Sequence, residues 1–247
     1  MANLETGHAK NVANFEALIS FCTGYGASYN PSKTSIKLPT LAALHTAAKD
    51  KMSEVKTAES AWSDAVGARE VLFKPLSKLT TRVLNALASS DVPAPSVDNA
   101  KTIANKIQGK RATPKNSPPP IDPAVPQEET PQNISASQMG FDNRIDNLDK
   151  LIKHLTAQTG YAPNETELST AALATLLANM KVANTAAIGT NTVLSNARIE
   201  RDKVLYKPET GLVDIAADVK TYVKSVFNAT SPQFKQISGI KFTQPKK

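Results

Sequence analysis

The sequence predicts an all-α protein of two tandem, duplicated up-down helical bundles that are joined by a Pro-rich linker. Three observations support this prediction: the helical spacing of the apolar residues, a repeat of the first half in the second, and a cluster of prolines between the halves. Of the 247 residues 40% are hydrophobic, which is enough for a core. The 5% of aromatic residues and the ten glycines disfavour an all-β sandwich.

The proline cluster divides the chain. Seven of the 16 prolines lie between Pro114 and Pro131. Such a stretch cannot form a helix or a central strand, and it favours an extended, semi-rigid linker. A ligand for an SH3-type domain is the alternative, but PPPIDPAVP has no flanking basic anchor at a useful spacing. We therefore expect a first bundle over residues 1–112, a linker over 113–136 and a second bundle over 137–247, each bundle being a domain of its own.

The two halves match each other at a shift of 133 positions. VLFKP in the first half corresponds to VLYKP in the second, so that Pro75 pairs with Pro208. The same shift pairs Leu18 with Leu151. Because matching pairs are spread over most of each half, they predict a duplicated unit of about 110 residues, an ordinary size for a domain.

The first helix of each bundle is predicted over about 10–22 and about 141–155. In the first half its apolar residues recur at helical spacing and form one stripe. These residues are Val12, Phe15, Ile19 and Cys22. Pro39 suits the first turn of the next helix, and Asn164 can cap its counterpart in the second half.

A long second helix is predicted over about 39–73, with a counterpart that includes residues 173–205. Its apolar residues alternate at spacings of three and four, which is typical of coiled-coil packing. Lys51 and Arg69 fill two of the seam positions. Because a long helix needs partners of similar length, this pattern favours a bundle of helices lying alongside one another.

A third helix is predicted over about 76–88 and 210–227, and a short last helix completes each bundle. The V-L-Phe/Tyr-Lys-Pro element before the third helix has two interpretations, a docking motif presented twice or a helix corner. We favour the corner, in which the aromatic residue plugs the bundle end, the lysine faces the last carbonyls and the proline redirects the chain. The corner residues are Phe73, Lys74, Pro75, Tyr206, Lys207 and Pro208.

The net charge of +7, from 29 basic and 22 acidic side chains, raises the question of an anionic partner. Basic residues close both halves: Lys106, Lys110 and Arg111 in the first, and Lys241, Lys246 and Lys247 in the second. These side chains could contact phosphates, but neither aromatic interleaving nor a recognition-helix signature accompanies them. Solvated cations near helix C-termini explain them equally well.

The sequence offers no constellation for catalysis, a metal or a cofactor. One cysteine excludes a multi-Cys zinc site, and the three histidines are far apart. Cys22 lies on the apolar stripe, so we expect a buried packing thiol rather than a nucleophile. An acidic stripe is formed by Asp142, Asp146 and Asp149. It fits the first turns of a helix, where negative charge is favoured, better than a cation site. We therefore expect a protein that is not an enzyme.

Three segments carry a family resemblance: MANLETGHAKNVANFEALISFC, VLFKPLSKLTTRVLNAL and SASQMGFDNRIDNLDKLI. They resemble an uncharacterised two-repeat family of helical proteins that is common in Bacteroidota genomes. The resemblance extends over nearly the whole chain and implies a bacterial helical protein without enzyme-like features. It implies no activity and no functional residues.

The function we expect is that of a structural, self-assembling protein that forms filaments or another repetitive assembly through helix-face contacts. The alternative is a cytoplasmic module that binds nucleic acid or another anionic polymer. No run of about 18 apolar residues is present, so we expect no membrane span. The N-terminal residues lack an apolar signal region, which predicts a cytoplasmic location and leaves export by a non-classical route open.

Overall fold

The computed structural model describes residues 7–110 and 139–244, and all regular structure within these ranges is helical, which confirms the all-α prediction. The described α-helices are α1 (His8–Gly24), α2 (Leu38–Phe73), α3 (Leu76–Ala88), α4 (Ala94–Gln108), α5 (Phe141–Thr156), α6 (Thr170–Tyr206), α7 (Leu212–Phe227) and α8 (Pro232–Ser238). Short 3-10 turns cover Gly26–Ser28, Thr34–Ile36 and Thr166–Leu168. The predicted linker over 113–136 lies outside the described residues.

The ends of the long helices follow from local rules. Helix α2 ends at Phe73 and α3 begins after Pro75, whose ring removes a backbone donor. Helix α6 ends at Tyr206, but α7 begins later, at Leu212. Between them Glu209 adopts a left-handed φ of 66°, a conformation that interrupts a helix. The second corner is therefore longer than the first.

The described helices group into two compact units. The first unit comprises Met1–Ser63 and Gly189–Lys247, and the second comprises Asp64–Ile188. This grouping differs from the predicted division into 1–112 and 137–247, since each unit takes helices from both halves. The physical reason is the choice of packing partner, because helical spacing defines which face is buried but not which helix covers it.

The first unit is built around α7. This helix packs against α8, α1 and the 34–36 turn, and α1 also packs against α8. Phe15 and Leu18 of α1 are fully buried with Leu41 of α2. They share one core with Leu205 at the end of α6 and Val219 of α7.

The second unit is built around α4. This helix packs against both α3 and α5, and the 166–168 turn packs against α3. Leu87 of α3 and Ile107 of α4 are fully buried in its core. Leu148 of α5 and Met180 of α6 complete the same core from the second half of the chain.

The loop before each long helix is held by the same kind of hydrogen bond. The hydroxyl of Tyr29 donates to the carbonyl of Ile36 at 2.6 Å. The hydroxyl of Tyr161 donates to the carbonyl of Leu168 at 2.7 Å. All four residues are buried, so each tyrosine ring packs in a core and its hydroxyl is satisfied by a backbone carbonyl.

Gly160 marks a close approach of two loops in the second unit. A Cβ atom at Gly160 would lie 2.6 Å from the Asp91 carbonyl oxygen, and nothing lies within 4 Å of a Cβ atom at Gly67. We expect Gly160→Ala to lower the free energy of unfolding by about 1–3 kcal/mol, because the backbone must shift. Gly67→Ala, within α2, should raise it by about 0.5–1 kcal/mol. Urea unfolding of both variants tests this, and a Gly160→Ala protein as stable as the wild type would contradict the loop packing.

Candidate assembly surface and helix corners

The corner between α2 and α3 is an aromatic cluster. Phe73 is buried, and its ring meets the ring of Phe141 edge-on at 4.9 Å. The guanidinium of Arg69 lies 3.8 Å above the centre of the Phe141 ring. A cation over an aromatic face is attracted to it and shields the ring from water. The aromatic residue of VLFKP therefore packs inward.

Polar contacts close this corner. Nη2 of Arg144 donates to the carbonyl of Phe73 at 3.1 Å, which satisfies a carbonyl at the end of α2. Nη1 of Arg69 donates to Oδ1 of Asn184 at 3.2 Å, and Nδ2 of Asn184 donates to Oδ1 of Asp142 at 2.7 Å. Burial lowers the pKa of Arg144. The arrangement ties α2, α5 and α6 together within the second unit.

The corner between α6 and α7 uses different chemistry. The Oη atom of Tyr206 lies 2.8 Å from Nδ1 of His8 and accepts from Nδ2 of Asn11 at 3.2 Å. Burial, followed by the nearby Arg201, lowers the pKa of His8, while Asp202 opposes this shift. Asn11 also donates to the carbonyl of Thr243 at 2.7 Å and accepts from its amide at 3.0 Å.

The other predicted corner residues face solvent. Lys74, Pro75, Lys207 and Pro208 are exposed. A proline that redirects the chain needs no burial, and an exposed lysine beside the last turn complements the negative end of the helix. These four positions therefore fit a corner that points its aromatic residue inward.

The predicted basic contacts are only partly within the described residues. Lys106 is half-buried in the last turn of α4, and Lys110 is exposed just after it; both belong to the second unit. Lys241 is exposed in the first unit, and its carbonyl accepts from Nδ2 of Asn14 at 2.6 Å. Arg111, Lys246 and Lys247 lie outside the described residues.

The acidic stripe of α5 is engaged in ordinary side-chain contacts. Asp142 accepts from Asn184, Asp146 pairs with Lys150 at 2.6 Å, and Asp149 pairs with Lys153 at 2.9 Å. In 7–110 and 139–244 no group of three or more His, Cys, Asp or Glu side chains is placed to hold a metal ion.

An open groove of about 850 Å³ lies in the second unit. It is lined by the end of α3 and by the loop before α6, including Arg82, Ser90, Gly160 and Glu165. Arg82 pairs with Glu167, so its charge is compensated at the rim of the groove. A groove without converging buried polar groups has no feature that would fix the orientation of a small ligand.

The exposed side of α6 is the most unusual surface of the described chain. From 170 to 197 the sequence has one charged residue, Lys181, whereas the residues of α2 include nine. Within the first unit Gly189, Val193, Asn196 and Ile199 are exposed at helical spacings of four, three and three, and we call these four residues the α6 face. Val193 and Ile199 are 59% and 50% exposed.

Sequence reasoning missed the α6 face because its apolar residues are mixed with Thr, Asn and Gly. The missing charges between 170 and 197 were the signal that could have found it. By length and composition alone, α6 is also the one helix in the described part of the chain that could cross a membrane. Only 28% of the apolar stretch of 18 residues in α6 is buried.

No family model, curated protein or solved structure matches this chain. The resemblance to a two-repeat bacterial family therefore stays a prediction. Function has to be inferred from the surfaces and contacts of the chain itself.

The thiol of Cys22 gives a pH-dependent test of the first core. Cys22 is fully buried beside Tyr29, and burial raises the pKa of its thiol to about 12. In the unfolded chain the thiol ionises near pH 8.5–9, so alkali favours unfolding. We expect the free energy of unfolding to fall as the pH rises from about 9 towards 12, and the fall to be smaller in Cys22→Ala.

Ellman's reagent gives the control for this expectation. At pH 8 it should leave Cys22 intact in the native protein and modify it in urea. Rapid modification without urea would contradict the buried thiol.

The arginine of the aromatic corner gives a second test. Arg69→Ala removes the cation above Phe141 and a partner of the buried Asn184, so it should lower the free energy of unfolding by about 1–3 kcal/mol. Arg82→Ala is the control, because its ion pair with Glu167 is exposed and should contribute less than about 1 kcal/mol. Equal losses in thermal or urea unfolding would show that the corner does not stabilise the second unit.

Proposed function

We propose that this chain is a structural, self-assembling protein, built from a duplicated helical unit, in which the α6 face packs against a second copy of the chain. The observation that carries this proposal is the exposure of Gly189, Val193 and Asn196 on a stretch of α6 that has no charged residue from Val182 to Ala197. Ile199 extends this face to the exposed Glu200–Lys203 ion pair. Isolated exposed apolar residues are common, but a set aligned on one helix face is typical of a contact surface.

A second copy fits the chemistry of the α6 face better than an anionic partner does. The face offers a glycine, two β-branched apolar side chains and one amide, and no cation for a phosphate. Gly189 lets another backbone approach closely, and an Asn196 amide can both donate to and accept from its own copy. Such a self-complementary surface suits an isologous contact between identical chains.

Equivalent features in the two halves support the duplicated unit. The α-helices follow the same order in each half, with a first helix, a long helix and two shorter helices, and a 3-10 turn directly precedes each long helix. The first half has one further 3-10 turn, Gly26–Ser28. The Tyr29 and Tyr161 hydrogen bonds occupy the same place in this order.

The α6 face can be tested with a charge substitution. We expect the wild-type protein at about 100 μM to form particles larger than a monomer, visible by sedimentation velocity and electron microscopy. Val193→Lys should require at least about tenfold more protein for the same association, because a lysine ammonium must be desolvated in the contact. Val71→Lys is the matched control, since Val71 is 71% exposed on α2 and lies outside the α6 face.

Salt and added partners separate the alternatives. Association through the α6 face should persist in 0.5 M NaCl, because screening weakens ionic contacts and not apolar burial. A wild-type protein that stays monomeric at every concentration would overturn the proposal. A salt-sensitive complex with DNA, without self-association, would favour the anionic-polymer alternative. Co-sedimentation with neutral phosphatidylcholine vesicles that is lost in Val193→Lys would favour a lipid surface.

A further inference from the structure

Both cores are shared between the two halves of the chain. In the first core the first half supplies Val12, Phe15, Leu18, Cys22, Tyr29, Ile36, Leu41 and Ala48. The second half supplies Leu205, Leu212, Ile215, Ala216, Val219, Val223 and Ile237 to the same core. Neither set would be covered if the other half were removed, so this core belongs to both halves together.

The second core has the same character. The first half supplies Phe73, Leu76, Val83, Leu87, Val97, Ala100 and Ile107. The second half supplies Ile145, Leu148, Leu151, Ile152, Leu155, Tyr161, Leu168, Leu173, Leu177 and Met180. Separating the halves would therefore expose apolar surface in both cores, at a free-energy cost proportional to that area.

Two of the contacts between the halves have an equivalent in the other unit, while α1 also packs against α7. In the first unit α1 packs against α8 and the 34–36 turn against α7; in the second unit α5 packs against α4 and the 166–168 turn against α3. In each case the beginning of one half meets the end of the other half. The beginning of each half is therefore covered by the end of the other half, which is the arrangement of an intertwined pair.

Polar contacts between the halves accompany the apolar ones. The hydroxyl of Tyr25 donates to the carbonyl of Gln233 at 2.8 Å. Nε2 of His154 lies 2.8 Å from the carbonyl oxygen of Ser96. The two hydrogen bonds between Asn11 and Thr243 form a closed pair, which fixes the end of the second half on α1. Such contacts define the register of the pair, since a shifted register would leave buried polar groups unsatisfied.

We propose that residues 7–110 and 139–244 are complementary partners that hold each other through both cores, without needing the peptide connection between them. The chain then behaves like two subunits that are joined into one polypeptide. The partner of each half is the other half. This proposal does not depend on the α6 face, which lies outside both shared cores.

The test is to cut the chain between the halves. A recognition sequence for a site-specific protease is placed within 113–136 of the full-length protein, in a Val193→Lys background that removes association through the α6 face. After cleavage at about 10 μM, both fragments should elute together with the mass of one chain, and the circular dichroism of the helices should be unchanged. Fragments that elute separately, or that lose their helicity, would overturn the proposal.

Dilution gives an independent readout. The midpoint of thermal unfolding should fall with each tenfold dilution of the cut protein and stay constant for the uncut protein, because cutting turns unfolding into a dissociation. A midpoint of the cut protein that does not depend on concentration would show two halves that fold alone, which would overturn the proposal.

A matched pair of variants locates the contact. Asn11→Ala removes hydrogen bonds to the other half, and we expect it to raise the dissociation constant of the cut protein at least about tenfold. Thr46→Ala is the control, because its hydroxyl donates to Ala42 within the same helix, and it should leave the dissociation constant unchanged. Equal effects of the two variants would contradict the proposed pairing. These results do not depend on the proposed self-association, because every measurement uses the Val193→Lys background. The two proposals can therefore fail separately.

Discussion

The structure depends on one constraint: the apolar face of each half's first helix is covered mainly by helices of the other half. Phe15 and Leu18 on α1 are fully buried, and the helices packed on α1 are α7 and α8. Leu148 and Leu155 on α5 are likewise buried against α4. Since apolar burial is the main favourable term in folding, this covering accounts for the grouping of the helices into units that each include both halves.

The two helix corners show how the end of a long helix can be fastened by different chemistry. The last carbonyl groups of an α-helix have no partner within the helix. In the second unit Arg144 donates to the Phe73 carbonyl, and aromatic rings exclude water around it. In the first unit Asn11 instead binds the backbone of Thr243 and the hydroxyl of Tyr206. The charged corner and the neutral corner both fasten the end of a long helix to the first helix of the other half.

Sequence reasoning predicted the helices well because helix ends and buried faces are set by neighbouring residues. Leu76 and Leu212, both fully buried, open α3 and α7 directly after the two corners. They are 136 positions apart, so the constant shift of 133 fails after Pro208, where the second corner holds extra residues such as Glu209. The partner of each helix could not be predicted, because many pairings bury the same stripe and the pattern does not distinguish among them.

The candidate surface was harder to predict than the fold, because it depends on what a helix lacks. Helices α2 and α6 follow corresponding loops, yet the exposed residues of α2 include ion pairs such as Lys51 with Glu54, while the α6 face has no charge. Burying the exposed side of α2 would strip water from several ions, which is costly without new partners. Burying Val193 removes apolar surface from water, and the nearest charged side chains on its side of α6, Glu200 and Lys203, are paired with each other. The two long helices therefore differ in the cost of covering their exposed sides, and this difference is the basis for proposing α6 as the contact with a second copy.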